Sequence, residues 1–328
     1  MSSDRMRLSV DEARGHSERA LRGIGYDPEE ARIIADHVID AALCGYEYSG
    51  LAKILNIPEH RRFQRPRYPM KVVRETEVST LYDGGNNVGM LVMYHAARAV
   101  IEKSKIRGIA VVGVTNSWMS GRSAYYVEMI AKANLVGIHT ASSARSVAPF
   151  GGSRAALGTN PLAFGMPSSR GPVVLDMGTS AFMGTDLAYR ARLGQLLPEG
   201  VAVDAEGQPT RDPALARLGA LLPFGGYKGF GLAFIVQALG VLAGSALDPD
   251  KDDGYLFVVL KPDPLIGLDD FKGQVSELID RIKSTPRQPG VDEIRIPGER
   301  AFRSREQSLR NGIEIDRAVF DALTALQA

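Results

Sequence analysis

Residues 42–53, ALCGYEYSGLAK, crowd a carboxylate, two phenols, a hydroxyl and an amine around two glycines. Tyr48 and Ser49 carry exchangeable protons, Glu47 can take one up, and Lys53 brings a positive charge. The stretch therefore has the residue types that move a proton to or from a substrate oxygen or nitrogen. Donation by Tyr48 requires its pKa to be lowered by Lys53 or by a bound cofactor, and donation by Glu47 requires a buried carboxyl. A plain helix ending is the other reading of these residues.

Five further segments combine glycine with small polar residues: APFGG (148–152), LGTNP (157–161), LDMGTS (175–180), PFGGYKGFG (223–231) and PGER (297–300). Glycine lets backbone N–H groups come close to phosphate oxygens, and a helix opening at Gly229 adds its positive end with Lys228 beside it. Together they make a candidate cradle for a dinucleotide. The chain has neither G-x-G-x-x-G nor G-x-x-x-x-G-K-[ST], which argues against a Rossmann or P-loop arrangement. One cysteine and five scattered histidines offer no metal-ligand spacing, so no metal is expected.

Several elements must position these residues. Ser9-Val10-Asp11-Glu12 reads as a capping box opening one helix, and Asp27-Pro28-Glu29-Glu30 opens a second whose apolar stripe is Ala31, Ile34, Ala35, Val38 and Ala42. That second helix stops at Gly45, so the opening stretch is a helix exit, a place where side chains can be presented to a cleft. Beyond residue 70 the pattern changes to two short strands over 71–87, a helix over 90–105, a buried strand at 109–114, a helix at 122–134 and a strand at 135–142. Strands at 172–177 and 255–260, a helix at 268–284 and a closing helix in the tail complete the pattern. Alternating strands and helices argue for an α/β domain with a partly parallel sheet.

With 45% hydrophobic and 23% charged residues in 328, the composition is that of an ordinary globular protein with room for more than one domain. A net charge of +1 gives no field that would attract nucleic acid or an anionic membrane. The lone Cys44 and the polar beginning, without a signal-peptide pattern, suit a cytoplasmic protein. Residues 230–247 carry no charge but include Gln237 and several glycines and serines, which fits a buried or subunit-interface helix better than a membrane span.

The order of the motifs TNSWMSG, APFGG, LGTNPLAFGMP, VVLDMGTS, LPEGVAVDAEGQPTRDP, LPFGGYKGFGLAF and PGER closely resembles the type-2 malate/L-lactate dehydrogenase family. That family includes sulfolactate, ureidoglycolate and diketogulonate oxidoreductases and reductases of cyclic imino acids. The resemblance covers nearly the whole chain and is densest over 114–245. It implies a homodimer whose helical part, built from both chain ends, packs on a mixed-sheet, non-Rossmann α/β domain of the L-sulfolactate dehydrogenase type. NADH or NADPH is expected between them. The corresponding divisions are a helical part at 1–70, the α/β domain at 71–265 and a returning C-terminal part at 266–328. By the same resemblance Asp176, Thr179, Ser180 and Phe182 line the nicotinamide and ribose, Lys228 and Gly229 meet phosphate or ribose, and Gly298, Glu299 and Arg300 complete the pocket. Asp176 is also a catalytic candidate, with a satisfied strand-end carboxylate as the alternative.

The substrate side departs from the family pattern. Where the family has D-S-H-G-V-x-R, this chain has Glu47-Tyr48-Ser49-Gly50-Leu51-Ala52-Lys53, so Ser49 stands at the histidine and Lys53 at the arginine. Ile57 falls where a tyrosine is common. In the N-S-x-H-x-G motif the histidine becomes Met119, beside Trp118, and after DMGTS a Gly-Lys pair becomes Thr185-Asp186. Tyr48, Ser49 and Asp176 are thus the candidate catalytic residues, and Lys53, Trp118 and Met119 the candidate substrate contacts. Hydride transfer to a ketone needs a proton donor, whereas a protonated imine is neutralised by hydride alone, so loss of an imidazole bears least on C=N reduction. The expected function is NAD(P)H-dependent reduction of a C=N, conjugated or carbonyl group of a small molecule. Alternatives are a non-redox cyclisation, elimination or isomerisation, and a non-catalytic binding protein. His60, amid Arg61 and Arg62, reads as exposed, HRRFQRPR as a solvated loop, and His16, His37, His95 and His139 as structural.

Overall fold

A computed structural model of the chain describes residues 4–248, 251 and 253–327. The first elements are strand β1 (Arg5–Leu8), helices α1 (Val10–Gly23) and α2 (Pro28–Leu43), a helical turn at Glu47–Ser49, and α3 (Ala52–Glu59). Both expected capping boxes form. Ser9 accepts from the Glu12 amide while Glu12 accepts from the Ser9 amide, and Asp27 and Glu30 do the same.

The α/β part contains β2 (Lys71–Glu75), β3 (Ser79–Val88), α4 (Gly89–Arg107), β4 (Ile109–Trp118), α5 (Ser123–Lys132), β5 (Val136–Ser142), β6 (Leu162–Met166) and β7 (Val173–Met177). After these come α6 (Gly184–Arg192), β8 (Ala202–Val203), α7 (Pro213–Leu218), β9 (Ala220–Leu221), α8 (Tyr227–Leu242) and β10 (Gly254–Leu260). The chain ends through α9 (Leu268–Lys283), α10 (Glu299–Asn311), β11 (Ile313–Asp316) and α11 (Arg317–Ala325).

The main sheet has the order β2-β3-β4-β10-β5-β6-β7. Only β3 and β4 run parallel, and every other neighbouring pair is antiparallel, so the sheet is mixed. Its apolar face packs α4 and α5 through Val112, Val114, Tyr126, Ile130 and Phe257. The helical part has its own core of Leu21, Ile34, Val38, Ile54 and Ile57, reached by Val319 and Leu323 of α11. β1 pairs antiparallel with β11, so residues from both chain ends build this part, as the motif order implies.

Three elements differ from the sequence reading in ways that shape the site and its surroundings. β4 runs on to Trp118 and drives the indole into the helical core, although its apolar run ends at Val114. α10 is a helix that the sequence does not announce, since Ala301 is the only buried residue in its thirteen. α8, uncharged from residue 230 onward, is not enclosed within the chain, which removes the buried half of its reading and leaves the subunit-interface half: Phe234, Ile235 and Leu242 are 60%, 54% and 72% exposed. No helix among the described residues is long and apolar enough to cross a membrane.

A buried ionic network fastens the two parts together. Asp40 of α2 accepts from Arg122 at 2.6 Å and pairs with Arg305 of α10 at 2.8 Å. Arg305 forks onto both oxygens of Glu128 in α5, which also meets Lys132.

Candidate active site

A cleft of about 810 Å3 opens between α3, the end of β4, the 141–146 loop and the start of α6. Lys53, His60, Met119, Thr159, Thr185 and Arg217 are among its lining residues. Lys53 enters from the first turn of α3, 7% exposed, and its Nζ donates to Thr185 Oγ1 at 3.1 Å. Burial brings its pKa down to about 8. Lys53 and Thr185, two positions that the sequence reading singles out, are therefore hydrogen-bonded to each other.

Met119 lines the same cleft with φ at +57°, a left-handed conformation that an unbranched non-glycine side chain rarely takes. Trp118, one residue earlier, is buried, and its Nε1–H donates to Asn86 O at 3.0 Å. Its contact with the cleft is indirect, through His60, whose ring stacks on the indole at 4.3 Å and within 5° of parallel.

This corrects the expectation for His60. It is half-buried in the cleft wall, its Nδ1 accepts from the Arg62 amide, and burial together with the charges of Arg61 and Arg62 pushes its pKa down to about 4. HRRFQRPR is a solvated loop only in part: Arg61, Gln64, Arg65 and Pro66 are exposed. Arg62 is buried and donates to Asn86, Asn116 and the Ser117 carbonyl, while Arg67 lies over the Tyr26 ring and pairs with Glu30. The sequence signal for this is faint, since nothing local tells a buried staple from an exposed basic run.

The 47–49 turn sits beside the cleft rather than in its wall. Burial raises the Tyr48 hydroxyl to about 12, with Tyr46, Asp186 and Asp176 adding to the effect, so Lys53 does not activate it. The condition that Lys53 lower the Tyr48 pKa is thus not met. Glu47 is held by Arg5 at 2.6 Å and Tyr189 at 2.8 Å; burial opposes its charge, but these hydrogen bonds outweigh it and keep the carboxyl low. Ser49 is buried in the same turn. Asp176 accepts from the Ala124 amide at 2.7 Å and so caps α5, while burial raises its carboxyl.

Four of the five glycine-rich segments meet next to the cleft. The Thr179 amide and hydroxyl both donate to Thr159 O, the Phe224 amide donates to Thr179 O, and the Ala148 amide donates to Leu221 O. A Cβ on Gly229 would stand 2.3 Å from Phe224 O and 2.8 Å from Thr179 O, so only glycine permits this approach. Ser180 donates to Phe182 O, and Phe182 packs on a small apolar cluster beneath Arg190. Lys228 is exposed at the start of α8. Gly298, with φ at +92°, opens α10; Glu299 pairs with Lys283 at 2.6 Å, and Arg300 stacks on Tyr46 at 4.6 Å. None of the nine residues that the motifs assign to the cofactor, from Asp176 to Arg300, is in the wall of the cleft itself.

The donor set of the cleft fits a dinucleotide. Ser143, Ser146 and Thr159 present hydroxyls suited to ribose and phosphate, and the exposed Arg145 and Arg217 stand at the rim as cations. The buried histidines away from it are structural. His37 Nε2 accepts from the Arg122 amide at 2.8 Å, and His139 stacks on Phe257 at 4.1 Å. No group of three or more potential metal ligands gathers among the described residues.

Comparison with known proteins places this geometry. L-Sulfolactate dehydrogenase of Methanothermobacter thermautotrophicus is 34% identical over 98% of this chain and 96% of its own. The delta(1)-pyrroline-2-carboxylate/delta(1)-piperideine-2-carboxylate reductase of Pseudomonas putida is 35% identical over 70% of each. The solved sulfolactate dehydrogenase of Methanocaldococcus jannaschii superposes with a TM-score of 0.85 at 31% identity, covering 98% of this chain and 96% of the other. The fold is thus of the sulfolactate dehydrogenase type, and since the malate/L-lactate dehydrogenase family model matches residues 8–324, the chain belongs to that family.

Proposed function

We propose that the protein is a reductase that uses NADH or NADPH to reduce a C=O or C=N group of a small molecule, working as a cytoplasmic homodimer. The observation that carries this reading is the cleft, whose lining combines a buried lysine and a stacked imidazole with several hydroxyls and exposed arginines. Such a lining suits a small reacting group beside a long polyanion. When bound, the dinucleotide supplies hydride. The protein's part is to hold the acceptor carbon near Met119 and Lys53, to exclude water with the His60–Trp118 stack, and to handle the proton.

Among the residues assigned by motif, Asp176, Thr179, Ser180, Phe182, Lys228 and Gly229 form the shelf behind the cofactor, and Gly298, Glu299 and Arg300 its outer edge. Relatives named for sulfolactate and for pyrroline-2-carboxylate carry both C=O and C=N chemistry, so both belong to the reading. The exposed apolar residues of α8 support a second copy as partner.

Fluorescence titration of the purified protein with NADPH and NADH separately tests the proposal. Saturable binding of either is the expected result. Binding of neither overturns it and favours a non-redox use of the fold.

A further inference from the structure

The geometry points to Lys53 as the group that delivers a proton to the substrate oxygen during carbonyl reduction, with Thr185 as the positioning residue that holds its ammonium toward the cleft. The assignment rests on the reductase reading above. Lys53 is buried at the cleft wall, and its Nζ has a hydroxyl partner and no ion pair among the described residues. An ammonium has three donors, so Thr185 leaves others for a ligand.

The charged and titratable groups around it are otherwise engaged. His37 of α2 and His60 beyond α3 are depressed to about 3 and about 4 chiefly by burial, with neighbouring arginines and then the Lys53 charge adding to it, and both are neutral at pH 7. Asp186 of α6 meets Arg190, Glu59 meets Arg192, and Asp253 lies 4.0 Å from Arg62. With a pKa near 4, only about one His60 ring in a thousand is imidazolium at neutral pH. Tyr48 holds its proton too tightly. Lys53, brought down to about 8, is protonated at pH 7 and more acidic than an ordinary lysine.

The electron balance is simple. As hydride forms the new C–H bond, the C=O π pair moves to oxygen, which takes a proton from Nζ. The carbonyl becomes an alcohol, with oxidation of the reduced nicotinamide that supplied the pair. The neutral amine then regains a proton from water in the open cleft. An iminium makes the opposite demand, since it is already positive and a buried ammonium repels it. The charge at Lys53 thus sharpens the broader reading toward carbonyl acceptors.

The first readout needs no substrate. Trace acetylation with acetic anhydride across pH, followed by mass spectrometry of the Lys53 peptide, gives its titration midpoint in the intact protein. It should fall about two units below the exposed lysines of the same chain. In T185V it should fall further, because the ammonium loses its hydrogen-bond acceptor. A midpoint equal to the exposed lysines overturns the assignment.

The second readout is reduction of pyruvate and other 2-oxo acids with the nucleotide that binds. Wild-type kcat/KM should drop above the same midpoint. K53R keeps the charge but lacks the acid, and should lose roughly 100-fold or more in kcat with little change in KM. K53A should be restored in part by added methylammonium. Full kcat in K53R, or reduction of cyclic imines with no 2-oxo acid accepted, overturns the proposal. Failure of both nucleotides to bind overturns the reductase reading and this one with it, whereas an ordinary midpoint in a protein that binds nucleotide removes Lys53 alone.

Discussion

Lys53 and Arg122 are both buried cations, 7% and 8% exposed, and both lie near the seam between the helical part and the sheet. Arg122 is surrounded by partners: Asp40 at 2.6 Å, the Tyr46 ring at 5.0 Å, and a backbone amide anchored on His37. Lys53 has Thr185. A buried charge with full pairing holds elements together, while one left underpaired costs stability and is available to a ligand. The pair shows how one seam serves both purposes within a single fold.

The largest way to break that contrast is R122M. Removing one member of the network leaves Asp40 with a single partner, and about 3 kcal/mol or more of stability should be lost, read as a lower urea midpoint. A loss under about 1 kcal/mol would mean the network is not what fastens the two parts.

K53M should move the other way. The folded state lowers the Lys53 pKa from 10.5 to about 8, so between those values the unfolded chain binds more protons and wild-type stability rises with pH. Below pH 8 the full penalty of the buried charge is present, about 3 kcal/mol for that shift. K53M should therefore be more stable than wild type at pH 7, and the difference should vanish by about pH 10.5. A K53M protein that is less stable at pH 7 would show that Lys53 is paired after all.

The smallest effect is expected at Met119. At φ +57° glycine is at ease and alanine is not, so M119G should exceed M119A in stability by about 1 kcal/mol. Equal stability would remove the argument that backbone strain marks this position.

Legibility in the sequence divides along similar lines. Capping boxes, the apolar runs of β4 and β5, and the ordered glycine motifs are local or linear patterns, and they appear where the sequence puts them. The Lys53 position is visible because a charged residue follows the glycine-bounded helix exit at 45–50. His60 is not: its neighbours in sequence are arginines, and its decisive neighbour, Trp118, is brought by a strand that outruns its own apolar pattern. α10 stays hidden because its apolar contacts, Ala301 and Phe302, are adjacent and make no helical stripe, while Arg305 and Ser304 tie it by polar bonds. The Tyr48 hydroxyl is raised first by burial and then by Tyr46, Asp186 and Asp176, an environment that sequence spacing does not bring together.

The ribbon of β1 and β11 also dictates an order of events during synthesis. The helices carrying Asp40 and Lys53 precede the sheet in the chain, but their core is closed by Val319 and Leu323, and β1 has no partner until residues 313–316 emerge. The sheet can form first, from strands complete by residue 260. The helical part that bears Lys53 is closed only by residues 313–323, so a stretch of chain ending at residue 260 holds every strand of the main sheet but lacks the pieces that complete the core behind Lys53.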